Sequence, residues 1–289
     1  MAQAINSEYV HPEVLVDTQW VEDHLKDSKI RIGEVDYDPN SNYTLGHVSG
    51  AVLFHWKNDI NEPISRNILS RQAYEELLQK AGINTDTTLI LYGDFNNWFA
   101  AFAFWAFKYY GYKDVRILNG GRKKWLVEDR PISKDVPEYA KGNFIATDDT
   151  NNNIRTFLNY VKESLYNKNG GALVDVRSPK EFTGEILAPP EYPTEHAQRG
   201  GHIPGAQNIP WAQAVNDSDG TFKSADELKR LYESKGITPD KKIITYCRIG
   251  ERSSHTWFVL KYLLGYPNVA NYDGSWTEWG NLIANPIER

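Results

Sequence analysis

At 289 residues, with 40% hydrophobic and 13% aromatic side chains, the chain is long enough for two domains and rich enough in large residues to bury a core in each. Its 38 acidic against 32 basic residues, a formal charge of −6, exclude broad nucleic-acid binding, which needs a net basic face. A single cysteine rules out an internal disulfide, and the longest apolar run, 98–107, falls far short of the roughly twenty residues that cross a bilayer. With neither a basic nor an apolar leader in "MAQAINSEYVHPEVLV", a cytoplasmic location is expected.

In chain order, the first half offers a strand in "RIGEVDY" (31–37), the motif "GHVSGAVLFHW" (46–56) and a buried strand followed by an apolar helix in "TLILYGDFNNWFAAFAFWAFKYYGY" (88–112). The Trp and Phe residues of 98–107 are expected in the core. A polar segment with two prolines, 127–153, reads as a linker, placing domains at 1–150 and 151–289. The second half then repeats the first. "ALVDVRS" (172–178) matches "RIGEVDY", "GHIPGAQNIPW" (201–211) matches 46–56, and Tyr246 and Gly265 fall opposite Tyr92 and Gly111 without a gap. Gly274 and Trp279 answer Gly120 and Trp125, and an insertion, 184–200, is the main difference between the halves. Within the second half, "SADELKRLYESKG" predicts a helix ending at Gly236, "KIITY" a buried strand, and "RSSHTWFVLKYLLG" a helix ending at Gly265. The alternation of strands and helices predicts an α/β fold in each half: a mainly parallel sheet flanked by helices on both faces.

Cys247 lies between "KIITY" and the helix that follows, where parallel sheets present their strand-to-helix turns to ligands. Arg248, Ile249, Gly250, Glu251, Arg252 and Ser253 form the turn, and its successive N–H groups with two arginines make an anion-binding setting. The expectation is a thiol with a depressed pKa, a thiolate nucleophile and an anionic substrate docked on Arg248 and Arg252. Glu251 opposes ionisation of the thiol, so it is expected to point outward or to pair with an arginine. The equivalent first-half turn, "GDFNNW", has Gly93 in place of the cysteine and no arginine.

"CRIGERS" after a buried strand, "GHIPGA" upstream, "LVDVRSPKEFTGE" before that, and the tandem arrangement together make the chain similar to the two-domain rhodanese family. The resemblance implies two rhodanese-like domains, an inactive first and a catalytic second, and a thiosulfate sulfurtransferase whose Cys247 carries a persulfide. Sulfite would be released, and cyanide or a thiol, including a protein thiol, would accept the sulfur. A loop beginning Cys-Arg resembles that of thiosulfate-using members, while mercaptopyruvate-using members have Cys-Gly. Ile249 and Glu181 stand where animal thiosulfate enzymes carry basic residues, so Arg252 is expected to make up part of that charge.

The alternatives are a 3-mercaptopyruvate sulfurtransferase, a persulfide carrier serving a protein partner, and a Cdc25-like phosphatase or arsenate reductase. The last is disfavoured because Cys247 to Arg252 is Cys-x4-Arg, one residue shorter than the phosphate-cradling Cys-x5-Arg loop. Asp175 and Arg177 read as a supporting ion pair under the loop, and His47 and His202 as turn residues, since both halves have one and only one half has a thiol. His255, one helical turn beyond the loop, could face solvent or the site. No metal-binding or nucleotide-binding motif occurs, so no metal or cofactor is expected.

Overall fold

The computed structural model of the chain describes residues 8–147, 151–166, 171–189 and 196–289, without the side chains of 165 and 166. Parts of two segments singled out in the sequence, 148–150 of the polar stretch and 190–195 of the insertion, lie outside the described residues. The chain divides into two compact units, one built on Pro12–Asn151 with Asn216–Phe222, the other on Asn152–Val215 and Lys223–Arg289 with Glu8–His11.

The first unit contains strands β1 (Leu15–Val16), β2 (Ile30–Asp36), β3 (His47–Val48), β4 (Val52–His55), β5 (Thr88–Gly93), β6 (Val115–Leu118) and β7 (Ile132–Ser133). Its helices are α1 (Thr18–Asp23), α2 (Arg71–Lys80), α3 (Trp98–Tyr109) and α4 (Gly121–Val127). Five strands form a parallel sheet in the order β1-β6-β5-β2-β4, while β3 and β7 pair antiparallel beside it. Every residue of α3 from Trp98 to Phe107 is buried, as a helix apolar on all sides must be. The stretch read as a linker is instead partly packed on this unit: β7 lies within it, Phe144 and Ala146 are buried, and the Tyr139 hydroxyl donates to the Gly50 carbonyl. Polar composition hid this, because the segment is held through side chains and backbone bonds spaced along it rather than through a periodic apolar face.

The second unit repeats the plan with β8 (Arg155–Thr156), β9 (Gly171–Asp175), β10 (Gln207–Asn208), β11 (Lys242–Tyr246) and β12 (Val269–Tyr272). These pair in parallel in the order β10-β9-β11-β12-β8. Its helices are α5 (Leu158–Tyr166), α6 (Pro179–Thr183), α7 (Ala225–Glu233), α8 (Glu251–Phe258) and α9 (Ser275–Asn281). Capping boxes start two of them: Ser178 with Glu181 on α6 and Ser224 with Glu227 on α7. The expected single helix to Gly265 is α only through Phe258 and continues as a π-helical turn, Val259–Leu263.

The repeat is structural as well as textual. Tyr246 stands beside Asp175 in the β11–β9 register, as Tyr92 stands beside Glu34 between β5 and β2. Each tyrosine hydroxyl accepts a backbone N–H from its "GH" motif, from Ile203 at 3.1 Å and from Val48 at 2.9 Å. His202 stacks on Phe182 and His47 on Tyr43, and each ring binds backbone carbonyl oxygen, which holds the turn.

Candidate active site

β11 is central in its sheet and runs straight into the turn that starts α8, so the last strand residue, Tyr246, delivers Cys247 to the carboxyl end of the sheet. Gly250 makes the turn possible. Its φ is +100°, and a Cβ there would lie 2.8 Å from Cα of Asp273. The Gly250 carbonyl is held by the Asn271 side-chain amide and the Ser254 N–H, both at 3.1 Å. The loop is also tied to α9: the Cys247 N–H donates to Oγ of Ser275 at 3.2 Å, and the Cys247 and Arg248 carbonyls accept from the N–H groups of Trp276 and Thr277. Ser275 itself has φ +51°.

All seven residues from Cys247 to Ser253 are buried. The sulfur accepts the Gly250 N–H at 3.1 Å and the backbone N–H of Ser253. It also lies 3.3 Å from Oε2 of Glu251 and donates its proton there. Glu251 is 3% exposed, and its other oxygen is 3.6 Å from Nε of Arg252. The carboxylate therefore points inward onto the thiol and pairs with Arg252 at 3.6 Å, so of the two expected placements it takes the arginine pair and not the outward one.

Arg252 is also placed differently from the expectation of a substrate-docking arginine. It forms a bidentate pair with Glu181 of α6, both contacts at 2.9 Å, and the two side chains are 5% and 0% exposed. The Arg252 and Ser178 contacts hold Glu181 at about 2, although burial pushes the other way. Glu181, noted in the sequence only as a departure, thus consumes the charge that Arg252 was expected to lend to a donor.

The thiol responds accordingly. Burial, and then the Glu251 charge, push Cys247 above the usual thiol range despite the Arg252 charge and the Ser253 bonds. The expected depressed pKa is overturned for the free protein. A thiolate and a carboxylate 3.3 Å apart would repel by about 5 kcal/mol at an effective dielectric near 20, so the pair keeps a proton.

Asp175 and Arg177 sit beneath the loop. Arg177 pairs with Asp175 at 2.6 Å, donates to the Gly201 carbonyl at 2.7 Å, and lies over the Trp276 ring, while Asp175 also bonds Tyr246. They brace the end of β11 and the "GHIPGA" turn. Arg248 and Ile249 are buried, each 3% exposed. His255 is fully buried edge-on to Trp211, and burial alone pulls its ring down to about 3. Among the described residues no group of three or more His, Cys, Asp or Glu side chains is arranged to hold a metal ion.

The first unit keeps the frame without the thiol. Gly93 ends β5 where Cys247 follows β11, and a Cβ on Gly93 would sit 2.2 Å from the carbonyl oxygen of Val35. Phe95, Asn96 and Asn97 all have positive φ, and Arg122 replaces Arg177 as the cation, bonding Glu34 at 2.7 Å. Ser275, Asn271 and Asp273 were missed in the sequence; the only hint was "NYDGSW", which spans the end of β12 and the turn after it.

A parallel α/β unit that closes a central strand with a buried thiol in a turn of N–H donors, with a duplicate lacking the thiol, defines a cysteine-loop protein with the thiol in one copy only. The Rhodanese-like domain matches residues 17–128 and 158–282, and the chain belongs to the rhodanese family, with two copies of its domain. Sulfur carrier protein TtuD of Thermus thermophilus is 56% identical over 283 residues, 97% of this chain and 98% of that one. A Mycolicibacterium smegmatis protein named "Putative thiosulfate sulfurtransferase" is 52% identical over 276 residues, 96% and 98% of the two chains. SseA of Escherichia coli, described in connection with 3-mercaptopyruvate sulfotransferases, superposes with a TM-score of 0.77 at 27% identity, over 91% of this chain and 98% of that one. Sulfur transfer is the chemistry for which these relatives are named. No helix among the described residues is long and apolar enough to cross a membrane.

Proposed function

We propose that this protein is a thiosulfate sulfurtransferase whose second domain is catalytic and whose first is inactive. The observation that carries the reading is the sulfur of Cys247, the only thiol in the chain, held at the end of β11 against the N–H of Gly250 at 3.1 Å. Cys247 attacks the outer sulfur of thiosulfate, sulfite leaves, and the resulting persulfide is stabilised by the amides of the turn. Burial of the whole loop keeps bulk water from the sulfur. With Arg252 committed to Glu181, Arg248 is the loop arginine assigned to the donor.

A second reading, a persulfide carrier for a protein thiol, is favoured by the 56% identity to a protein named as a sulfur carrier. It shares the persulfide and differs only in the acceptor. Incubation with thiosulfate should add one sulfur to the intact mass, cyanide should remove it, and Cys247→Ser should show neither. Arg248→Gly should depress thiosulfate turnover roughly tenfold or more while sparing mercaptopyruvate. Unmodified mass after thiosulfate, with loading by mercaptopyruvate, would replace the proposed donor.

A further inference from the structure

The contact between Cys247 and Glu251 has no counterpart in a scheme that uses only loop amides and a low-pKa thiolate. Two groups that each carry a negative charge when ionised are buried in contact at 3.3 Å, and the thiol donates to the carboxylate. Arg252, whose Nε lies 3.6 Å from Glu251, is already matched by Glu181 from α6. On the other side of the loop, Asp273 is matched by Arg155 at 2.8 Å. Among the charges that act on the sulfur, that of Glu251 outweighs that of Arg252. The site therefore holds one mobile proton on a two-atom path, from Sγ of Cys247 to Oε2 of Glu251.

We propose that Glu251 is a catalytic residue that takes the proton of Cys247 when the sulfur is loaded and returns it when the sulfur is discharged. The inference rests on the persulfide reading above and assigns the proton within it.

In loading, the S–H electron pair attacks the outer sulfur of thiosulfate, and the proton passes to the Glu251 carboxylate. One S–S bond forms, the bond to the sulfonate breaks, and sulfite departs as the dianion with the bonding pair. The products are the Cys247 persulfide anion and neutral Glu251. In discharge, an acceptor thiolate attacks the outer sulfur, the bond to Sγ of Cys247 breaks, and Sγ receives the proton from Glu251 as it leaves. The acceptor departs as a persulfide anion, and the thiol–carboxylate pair is restored. No outside oxidant or reductant is required.

Glu251 serves loading as a base and discharge as an acid, so its loss should slow both steps with opposite pH dependence. Glu251→Gln keeps the shape but cannot take the proton, so loading at pH 7 should slow and should recover as rising pH ionises the thiol directly. Discharge loses its acid and should slow by about tenfold or more relative to wild type, increasingly as pH rises. A residue that only shaped the loop would slow both steps by the same factor at every pH.

The test follows gain of one sulfur from thiosulfate and, after excess donor is removed, its loss to dithiothreitol, by intact mass in wild type, Glu251→Gln and Glu251→Asp from pH ~6 to ~9. Slowing of both steps in Glu251→Gln, with loading but not discharge recovering toward wild type at high pH, and restoration of both in Glu251→Asp, is the expected result. Infrared difference spectra of the wild type alone give the second arm. Loading should bleach the S–H stretch of the single cysteine and raise a carboxylic-acid carbonyl band, and discharge should reverse both. Discharge of Glu251→Gln at the wild-type rate, or a loaded wild type with no carboxylic-acid band, overturns the proposal. If thiosulfate adds no sulfur to wild type, the donor reading fails by itself. Loading with sodium tetrasulfide then lets both arms still decide the role of Glu251.

Discussion

Replacing Glu181 with Gln isolates one charge in the buried network under the Cys247 loop. Gln is also compatible with the third position of a capping box, so the start of α6, with Ser178 as its cap, is preserved. What is lost is the bidentate charge pairing to Arg252 at 2.9 Å, in a site where both side chains are nearly inaccessible. Breaking a buried ion pair by neutralising one partner costs about 3–5 kcal/mol, because the other charge stays buried. A second route agrees in size: the carboxyl is held at about 2 against an ordinary 4.5, a difference of roughly 3 kcal/mol in its ionisation. Urea unfolding at pH 7 should therefore show Glu181→Gln less stable by about 3 kcal/mol. The folded-state pKa is depressed, so the contribution is complete above the unfolded value and is lost as pH falls through the folded one. The gap between wild type and variant should narrow to about 1 kcal/mol by pH ~3. The same substitution turns the Arg252 charge toward Cys247, so alkylation of the thiol should reach half its maximal rate at lower pH. A variant within about 0.5 kcal/mol of wild type at pH 7, or a gap that does not change with pH, would refute the assignment of Arg252 to Glu181.

Three further outcomes are expected. Gly250→Ala places a Cβ 2.8 Å from Cα of Asp273 at φ +100°; strain of about 1–3 kcal/mol should lower the thermal midpoint, and the displaced N–H should abolish persulfide loading by intact mass. Gly93→Cys in a Cys247→Ser background should fail to load and should melt earlier than its parent, since its Cβ meets the Val35 carbonyl at 2.2 Å; loading there would show that the first turn can open. In the first unit, burial raises Glu34, and burial with the Glu34 charge raises Asp36, while burial with Asp36 raises Asp94 to about 8. Arg122 and the Asn42 side chain face this cluster. Because the folded values lie above the unfolded ones, the stabilisation is complete below the unfolded value and is lost as pH rises to the folded one, about 8. The thermal midpoint should fall between pH ~4 and ~8 and level off above that, and Asp94→Asn should flatten the fall.

Much of this protein was readable from local pattern. The duplication showed in matched Gly, His, Tyr and Trp positions because each fixes a turn or a core contact that both copies need. The parallel sheets showed in "TLILY" and "KIITY", whose unbroken apolar character follows from burial on both faces. Cys247 stood out as a candidate nucleophile because its setting, strand then turn then helix, is contiguous in the chain, and Gly250 because its backbone conformation is a property of that same turn.

The electrostatics of the site were not contiguous and could not be read that way. Arg252 meets Glu181 across 71 positions, and Asp273 meets Arg155 across 118. Sequence reading counted the arginines of the loop as free charge; the fold matches Arg252 with a carboxylate from another helix and turns Glu251 onto the thiol. Whether a cysteine among arginines is a thiolate depends on the net field at the sulfur and its access to water, and both are sums over residues that only tertiary packing brings together. Local sequence set the thiol and its turn, and packing decided which charges face it.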